Sequence, residues 1–197
     1  YPDVFPSSKD IILQNCVNFL SQNKLISQIL IIDNSPSLIY KWLKCLDRKV
    51  IYHHTKGNNM GYGKAHNLTK DLLKLSKYHI IVNPDIVFID KKTIDKLFFY
   101  MEENPEIGLL QPLIASYPNG EIQKLCKRNP TLLIQFLRGF GPKLIDNITC
   151  FQEYNNWYEM DNIAYKDQPV LSNYLSGSFM FCRVDKLNMV GWFDSKY

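Results

Sequence analysis

At 197 residues with a formal net charge of +4, the chain can build one substantial core and is only mildly basic. That charge tolerates an anionic ligand, while the lack of any basic block argues against nucleic acid. No apolar run reaches the roughly eighteen residues of a membrane span, no secretory leader is visible, and five scattered cysteines with four histidines form neither CxxC nor HExxH. A cytoplasmic protein in a reducing compartment, without zinc, is expected.

In chain order, Ser7 or Ser8 can cap a helix to about Ser21, with Ile12, Cys16, Phe19 and Leu20 on one face. Residues 28–33 form a continuous apolar strand that ends in an acid. A helix over 36–47 and a short strand over 49–53 follow. Gly61 and Gly63 precede a helix on which Ala65, Leu68, Leu72 and Leu75 recur at helical spacing. Ile80, Ile81 and Val82 read as a strand covered on both faces, stopped by Pro84, which cannot donate to a ladder. Asp90 can cap a helix that turns Ile94, Leu97, Phe98 and Met101 inward, and residues 107–115 read as another strand. Alternation of this kind predicts a parallel sheet with helices on both faces.

The remainder differs in character. Pro118, Asn119, Gly120 and Glu121 make a turn. In residues 131–148, Leu132, Leu133, Phe136, Leu137, Phe140, Leu144 and Ile145 approximate a helical stripe flanked by Arg138 and Lys143. Gly139, Gly141 and Pro142 interrupt it, which favours a packed helix over a membrane-facing one. A polar, aromatic loop over 152–168, a strand over 173–183 and a short helix over 185–190 complete the chain. It opens without a strand ahead of its first helix and stops without a closing element, so a fragment of one domain is expected.

Chemistry concentrates at strand ends. Asp33, Asn34 and Ser35 can contact a nucleoside base or ribose, or make an Asx turn before Pro36. Asn59, Gly61, Gly63, Lys64 and Asn67 form a GxG segment leading into a helix, where backbone can approach phosphate. It is neither the dinucleotide fingerprint nor a P-loop. Asn83, Pro84 and Asp85 end a strand, and a carboxylate there suits a magnesium or manganese ion, or simply caps the turn. Gly177 and Ser178 interrupt the late strand, marking a bulge or a close approach. Trp192, Phe193 and Asp194 follow Gly191 as an anchoring turn or part of a site.

Together these motifs resemble the inverting family-two glycosyltransferases of the GT-A fold, over about residue 28 to the end. Asp33-Asn34-Ser35, the Asn59–Asn67 segment, Asn83-Pro84-Asp85, Arg128-Asn129-Pro130-Thr131, Ser176-Gly177-Ser178 and Gly191-Trp192-Phe193-Asp194 carry the resemblance. The N-P-D spelling is that of the subgroup making rhamnose-containing polysaccharides. The resemblance implies an α/β, mostly parallel nucleotide-binding sheet, with residues 1–117 on the donor side and 118–197 on the acceptor side. It implies transfer of a sugar, rhamnose for the N-P-D subgroup, from a UDP- or dTDP-sugar to a glycan or lipid-linked acceptor, at the inner face of the membrane for the latter. By that resemblance Asp33, Asn34, Ser35, Asn59, Gly61, Lys64, Asn67 and Asn83 bind the nucleotide, Asp85 ligates Mg2+ or Mn2+, and Gly177, Ser178 and Trp192 face the acceptor. The family's general base lies in an E-D pair past Tyr197, leaving Asp194 as the nearby carboxylate. The alternatives are a non-catalytic sugar-nucleotide-binding domain and a sugar-phosphate nucleotidyltransferase, whose basic glycine-rich loop is not found after the first strand.

Overall fold

The computed structural model describes residues 9–36, 47–74, 76–140, 149–165 and 168–196. It divides into two units, Tyr1–Leu110 with Ser178–Tyr197, and Gln111–Gly177. The chain leaves the first unit after Leu110, and from Ser178 onward it rejoins it.

The first unit opens with α1 (Lys9–Gln22), whose Cys16, Val17 and Leu20 share one buried face. Lys49 Nζ donates to the carbonyls of Ser21 (2.8 Å) and Asn23 (2.9 Å). This satisfies acceptors that the helix end leaves open and opposes its negative pole. The caps expected at Ser7 and Ser8, and the helix over 36–47 apart from its end residues, lie outside the described residues. β1 (Ile29–Asp33) pairs in parallel with β2 (Val50–His54), Ile31 opposite Tyr52 and Asp33 opposite His54.

Two short helices, α2 (Tyr62–Asn67) and α3 (Thr69–Leu72), replace the single helix expected after Gly63, which itself sits inside α2. β3 (Tyr78–Val82) leads to α4 (Thr93–Glu103), which buries Ile94 and Met101 as its spacing requires. The Asp90 carboxylate accepts from the Lys92 N–H (2.8 Å) and from Lys96 Nζ (2.7 Å) at the start of α4. β4 (Leu109–Leu110) ends this part, and the second unit follows with α5 (Leu132–Phe140) and α6 (Thr149–Tyr158). β5 (Phe179–Arg183) and α7 (Val184–Val190) then return to the first unit.

The sheet is not mostly parallel. Among the described residues β1 and β2 form a parallel pair, while β3, β5 and β4 form an antiparallel sheet in that order. The cause is β5, which comes back from the second unit into the middle of its sheet and opposes both neighbours. Of the strand expected over 107–115 only two residues pair, because the chain leaves for the second unit after Leu110. Ile81, Phe179 and Phe181 are buried with Ile94 and Met101 to make the core of this sheet.

Arg183 is buried among backbone acceptors. Its guanidinium donates to the carbonyls of Met101 (2.6 Å), Asn104 (3.2 Å) and Ile107 (3.0 Å) and to the Tyr78 hydroxyl (3.2 Å). Each of these acceptors is a dipole rather than a carboxylate.

In the second unit the expected turn is present: Gly120 takes φ +71°, the Ser116 N–H donates to Glu121 O (2.8 Å), and Gln123 N–H donates to Ile114 O (2.8 Å). α5 buries Ile134 but exposes Leu132 (87 %), Leu133 and Phe136, the reverse of the packed stripe expected. Residues 141–148, with the rest of that stripe, lie outside the described residues. α6 occupies ground expected to be a polar loop. Arg138 Nη1 joins α5 to it, donating to Asn155 Oδ1 and Glu159 Oε1, both at 2.9 Å. Among the described residues no helix is long and apolar enough to cross a membrane.

Candidate functional site

The acid at the end of β1 is held by its own neighbourhood. Asp33 is buried, and its Oδ1 accepts from the N–H (2.9 Å) and hydroxyl (2.5 Å) of Ser35. Oδ2 accepts from the Tyr52 hydroxyl (2.5 Å), which the parallel register with β2 brings alongside. Burial alone would raise the Asp33 pKa, but the bonds from Ser35 and Tyr52, with His54 nearby, outweigh it and hold the carboxyl below its ordinary value. Three of the carboxylate's roughly four acceptor positions are thereby occupied, leaving room for one donor from a ligand. Thr55 Oγ1 also donates to Asn34 Oδ1 (3.1 Å) and the Asp33 carbonyl (3.2 Å), fixing the turn.

The glycine-rich segment serves two purposes. Asn59 Oδ1 accepts from the Gly61 N–H (3.2 Å), and Gly61 adopts φ +78°, a conformation that suits glycine, to begin α2. Gly63 meets the chain itself and not an open surface: a Cβ there would lie 2.6 Å from the Asp194 carbonyl oxygen and 3.3 Å from Phe193 Cβ. Asn67 Nδ2 donates to the Phe193 carbonyl (2.8 Å) and its Oδ1 accepts from the Phe193 N–H (3.2 Å). Its amide therefore braces the 192–194 turn, a different employment from the nucleotide contact expected of it. Lys64 is exposed.

Trp192, expected on the acceptor side, is buried, with Nε1 donating to Asn188 Oδ1 (2.7 Å) and its ring near His79 and Lys70. It anchors the turn after α7. Asp194 is exposed, and its Oδ1 accepts from the Lys196 N–H (2.9 Å). Gly177 closes the second unit and Ser178 opens the return to the first, so neither interrupts β5 as the strand reading required.

At the end of β3 the Asn83 N–H donates to the Ser178 carbonyl (2.8 Å), and Asp85 stands exposed two residues on. Ser27 Oγ lies 3.4 Å from Ser76 Oγ, and the Lys74 N–H donates to Gln28 Oε1 (3.0 Å), so β1 and β3 start side by side. Their far ends carry Asp33 and Asp85. Both acids line one cavity of about 1080 Å³, together with Asn34, Asn59, Gly61 and Asn83.

Asp85 makes no ion pair among the described residues. No group of three or more His, Cys, Asp or Glu gathers around a metal position among them. Magnesium is commonly held by one or two carboxylates completed by phosphate and water, and the exposed Asp85 fits that role.

Sequence reasoning passed over Tyr52, Thr55 and two histidines. His66 and His79 both line the cavity. Burial lowers the pKa of each, and it takes His79 to about 4, with His66 adding to the effect. The alternation of β2, placed in register with β1, is the signal that could have paired Tyr52 with Asp33. No family model, curated protein or solved structure matches this chain.

Proposed function

We propose that the chain binds a nucleotide-sugar at the Asp33–Asp85 end of its cavity and is the donor-binding part of an inverting glycosyltransferase with a GT-A-type fold. The sugar goes from a UDP- or dTDP-sugar, rhamnose being favoured by the N-P-D spelling, to a hydroxyl of a growing polysaccharide or lipid-linked glycan. One observation carries the reading: Asp33, Asn34, Asn59, Gly61, Asn83 and Asp85 come from separate segments and line one cavity at matching strand ends.

In this reading Asp33, through its one open acceptor position, and Asn34 orient the nucleoside. Asp85 holds Mg2+ or Mn2+, which when bound supplies charge neutralisation for the leaving diphosphate. Asp194 is the candidate for taking the proton of the acceptor hydroxyl. It does not line the cavity, and this favours a second reading in which the chain binds the donor without transferring it.

Calorimetric titration with UDP and dTDP, with and without Mg2+, tests the proposal. Metal-dependent binding that Asp85→Ala weakens by at least about tenfold, roughly 1.4 kcal/mol, is expected. Absence of binding to either nucleotide overturns it. Transfer from a UDP- or dTDP-sugar that Asp194→Asn abolishes would decide for the enzyme over the binding domain.

A further inference from the structure

We propose that the second unit carries a receptor for a terminal phosphate group at the last turn of α6, built by Lys127, Arg128, Trp157 and Tyr158. These residues lie wholly within Gln111–Gly177. The proposal stands independently of the nucleotide reading, which gives Arg128 no task.

Arg128 meets the end of α6 twice. Its backbone N–H donates to the Tyr158 carbonyl (3.0 Å) and its Nε to the Trp157 carbonyl (3.1 Å). Both bonds fill acceptors that a helix end leaves open. The guanidinium also lies over the Trp157 ring, 5.1 Å from its centre. These contacts fix the side chain and leave Nη1 and Nη2 without a partner among the described residues. A guanidinium held in this way presents its fork already oriented, so little rotamer freedom is lost when an oxyanion takes it bidentately.

Other donors gather on the same two residues of α6. Lys127 Nζ stands over the Tyr158 ring at 5.7 Å and makes no ion pair among the described residues. The indole N–H of Trp157, a residue 41 % exposed, and the Tyr158 hydroxyl also have no partner among them. The neighbouring cations are matched: Lys124 by Asp161 (3.1 Å), and Arg138, which also lies against the Tyr158 ring, by Glu159 (2.9 Å). Glu153, one turn earlier on α6, pairs with neither Lys127 nor Arg128. Two unmatched cations and two further donors thus stand together with no acceptor assigned to them. A terminal phosphate, with three strong acceptor oxygens and a charge of about −2, suits them better than a carboxylate. The negative pole of α6 opposes an anion here, but two full positive charges outweigh its roughly half charge.

Tyr154 stacks on Trp157, the rings 7° from parallel with centres 5.5 Å apart, and its hydroxyl is bonded to Thr131 Oγ1 (2.5 Å). The two rings extend the patch as an apolar shelf. A sugar carrying the phosphate would lie along this shelf, whereas a free phosphate would leave it unused.

The test follows the Trp157 indole N–H signal of the 197-residue chain by NMR, identified through its loss in Trp157→Phe. Inorganic phosphate and glucose 1-phosphate are titrated at constant ionic strength, with glucose as the control. Either phosphate should displace the signal saturably, and glucose should not. Tighter binding of glucose 1-phosphate assigns the site to a sugar phosphate, and equal binding assigns it to free phosphate. Arg128→Lys, which keeps the charge and loses the fork, should weaken binding by at least about tenfold. Lys127→Gln should weaken it about threefold. Absence of saturable displacement by both phosphates overturns the proposal. So does displacement that neither variant weakens, the mark of an adventitious ion only. If Arg128→Lys disturbs the end of α6, Lys127→Gln decides alone, and unchanged affinity in that variant overturns the site.

Discussion

The side-chain amide of Asn67 grips the backbone of Phe193 from both directions, donating to its carbonyl at 2.8 Å and accepting from its N–H at 3.2 Å. Asn67→Ala removes both bonds and strands two half-buried backbone groups, at a cost of about 1–3 kcal/mol. Asn67→Asp keeps the acceptor but sets a carboxylate against the Phe193 carbonyl, so its cost at pH 7 should match or exceed that of alanine. Urea unfolding of both variants checks the order, and an aspartate variant as stable as the parent would contradict it.

Gly63→Ala acts on the same turn from the other side. Its Cβ would meet the Asp194 carbonyl oxygen at 2.6 Å, backbone that cannot swing aside like a side-chain tip. A loss of about 1–3 kcal/mol is expected, as for overpacking in a filled site. Because Asn67 and Gly63 support one turn, the double variant should lose less than the sum of the single losses.

Acid should weaken the first unit in two stages. His79 falls from 6.5 to about 4 on folding, so the unfolded chain binds more protons between those values and stability drops as pH falls from about 6.5 to about 4. The loss amounts to ~3 kcal/mol when complete. Asp33 is lowered from 3.8, so its contribution is present above that value and disappears only on further acidification. His79→Phe should shrink the upper stage to the part due to His66 in a series of urea titrations across pH while leaving the lower one.

Thiol labelling should sort the cysteines by burial. Cys150 is exposed, whereas burial takes the Cys16 and Cys182 thiols up to about 12, with the Asp85 charge adding at Cys16. Among these three, Ellman's reagent should react with Cys150 in the folded protein and reach the other two only on unfolding. Fast labelling of Cys16 without denaturant would show that the α1 face opens.

Much of the first unit could be read from the chain alone. β1, β3 and α4 fall within a residue or two of their expected bounds because apolar runs and helical spacing act locally. Strand direction does not. An apolar run reads the same whether its neighbour is parallel or antiparallel, and the return of β5 from the second unit decided that. α6 was missed because Gln152, Glu153, Asn155 and Asn156 dilute its apolar period, and Arg138 reaching Asn155 and Glu159 supplies what the period lacks. Asp33 and Asp85 were legible as carboxylates following apolar strands. Tyr52 was not, since its bond to Asp33 exists only once the two strands are in register.

Arg183 carries its charge into the core with the carbonyls at the end of α4 as counter-charge. Carbonyl dipoles do not titrate, and a guanidinium keeps its proton at any ordinary pH. The Arg183 contacts themselves are therefore indifferent to acid, unlike the neighbouring Glu102 carboxylate, which bonds from Lys77 and Tyr78 hold below its ordinary value. On acidification the support of His79 on β3 should be lost before that of Asp33 on β1, while Arg183 keeps the end of β5 tied to the end of α4.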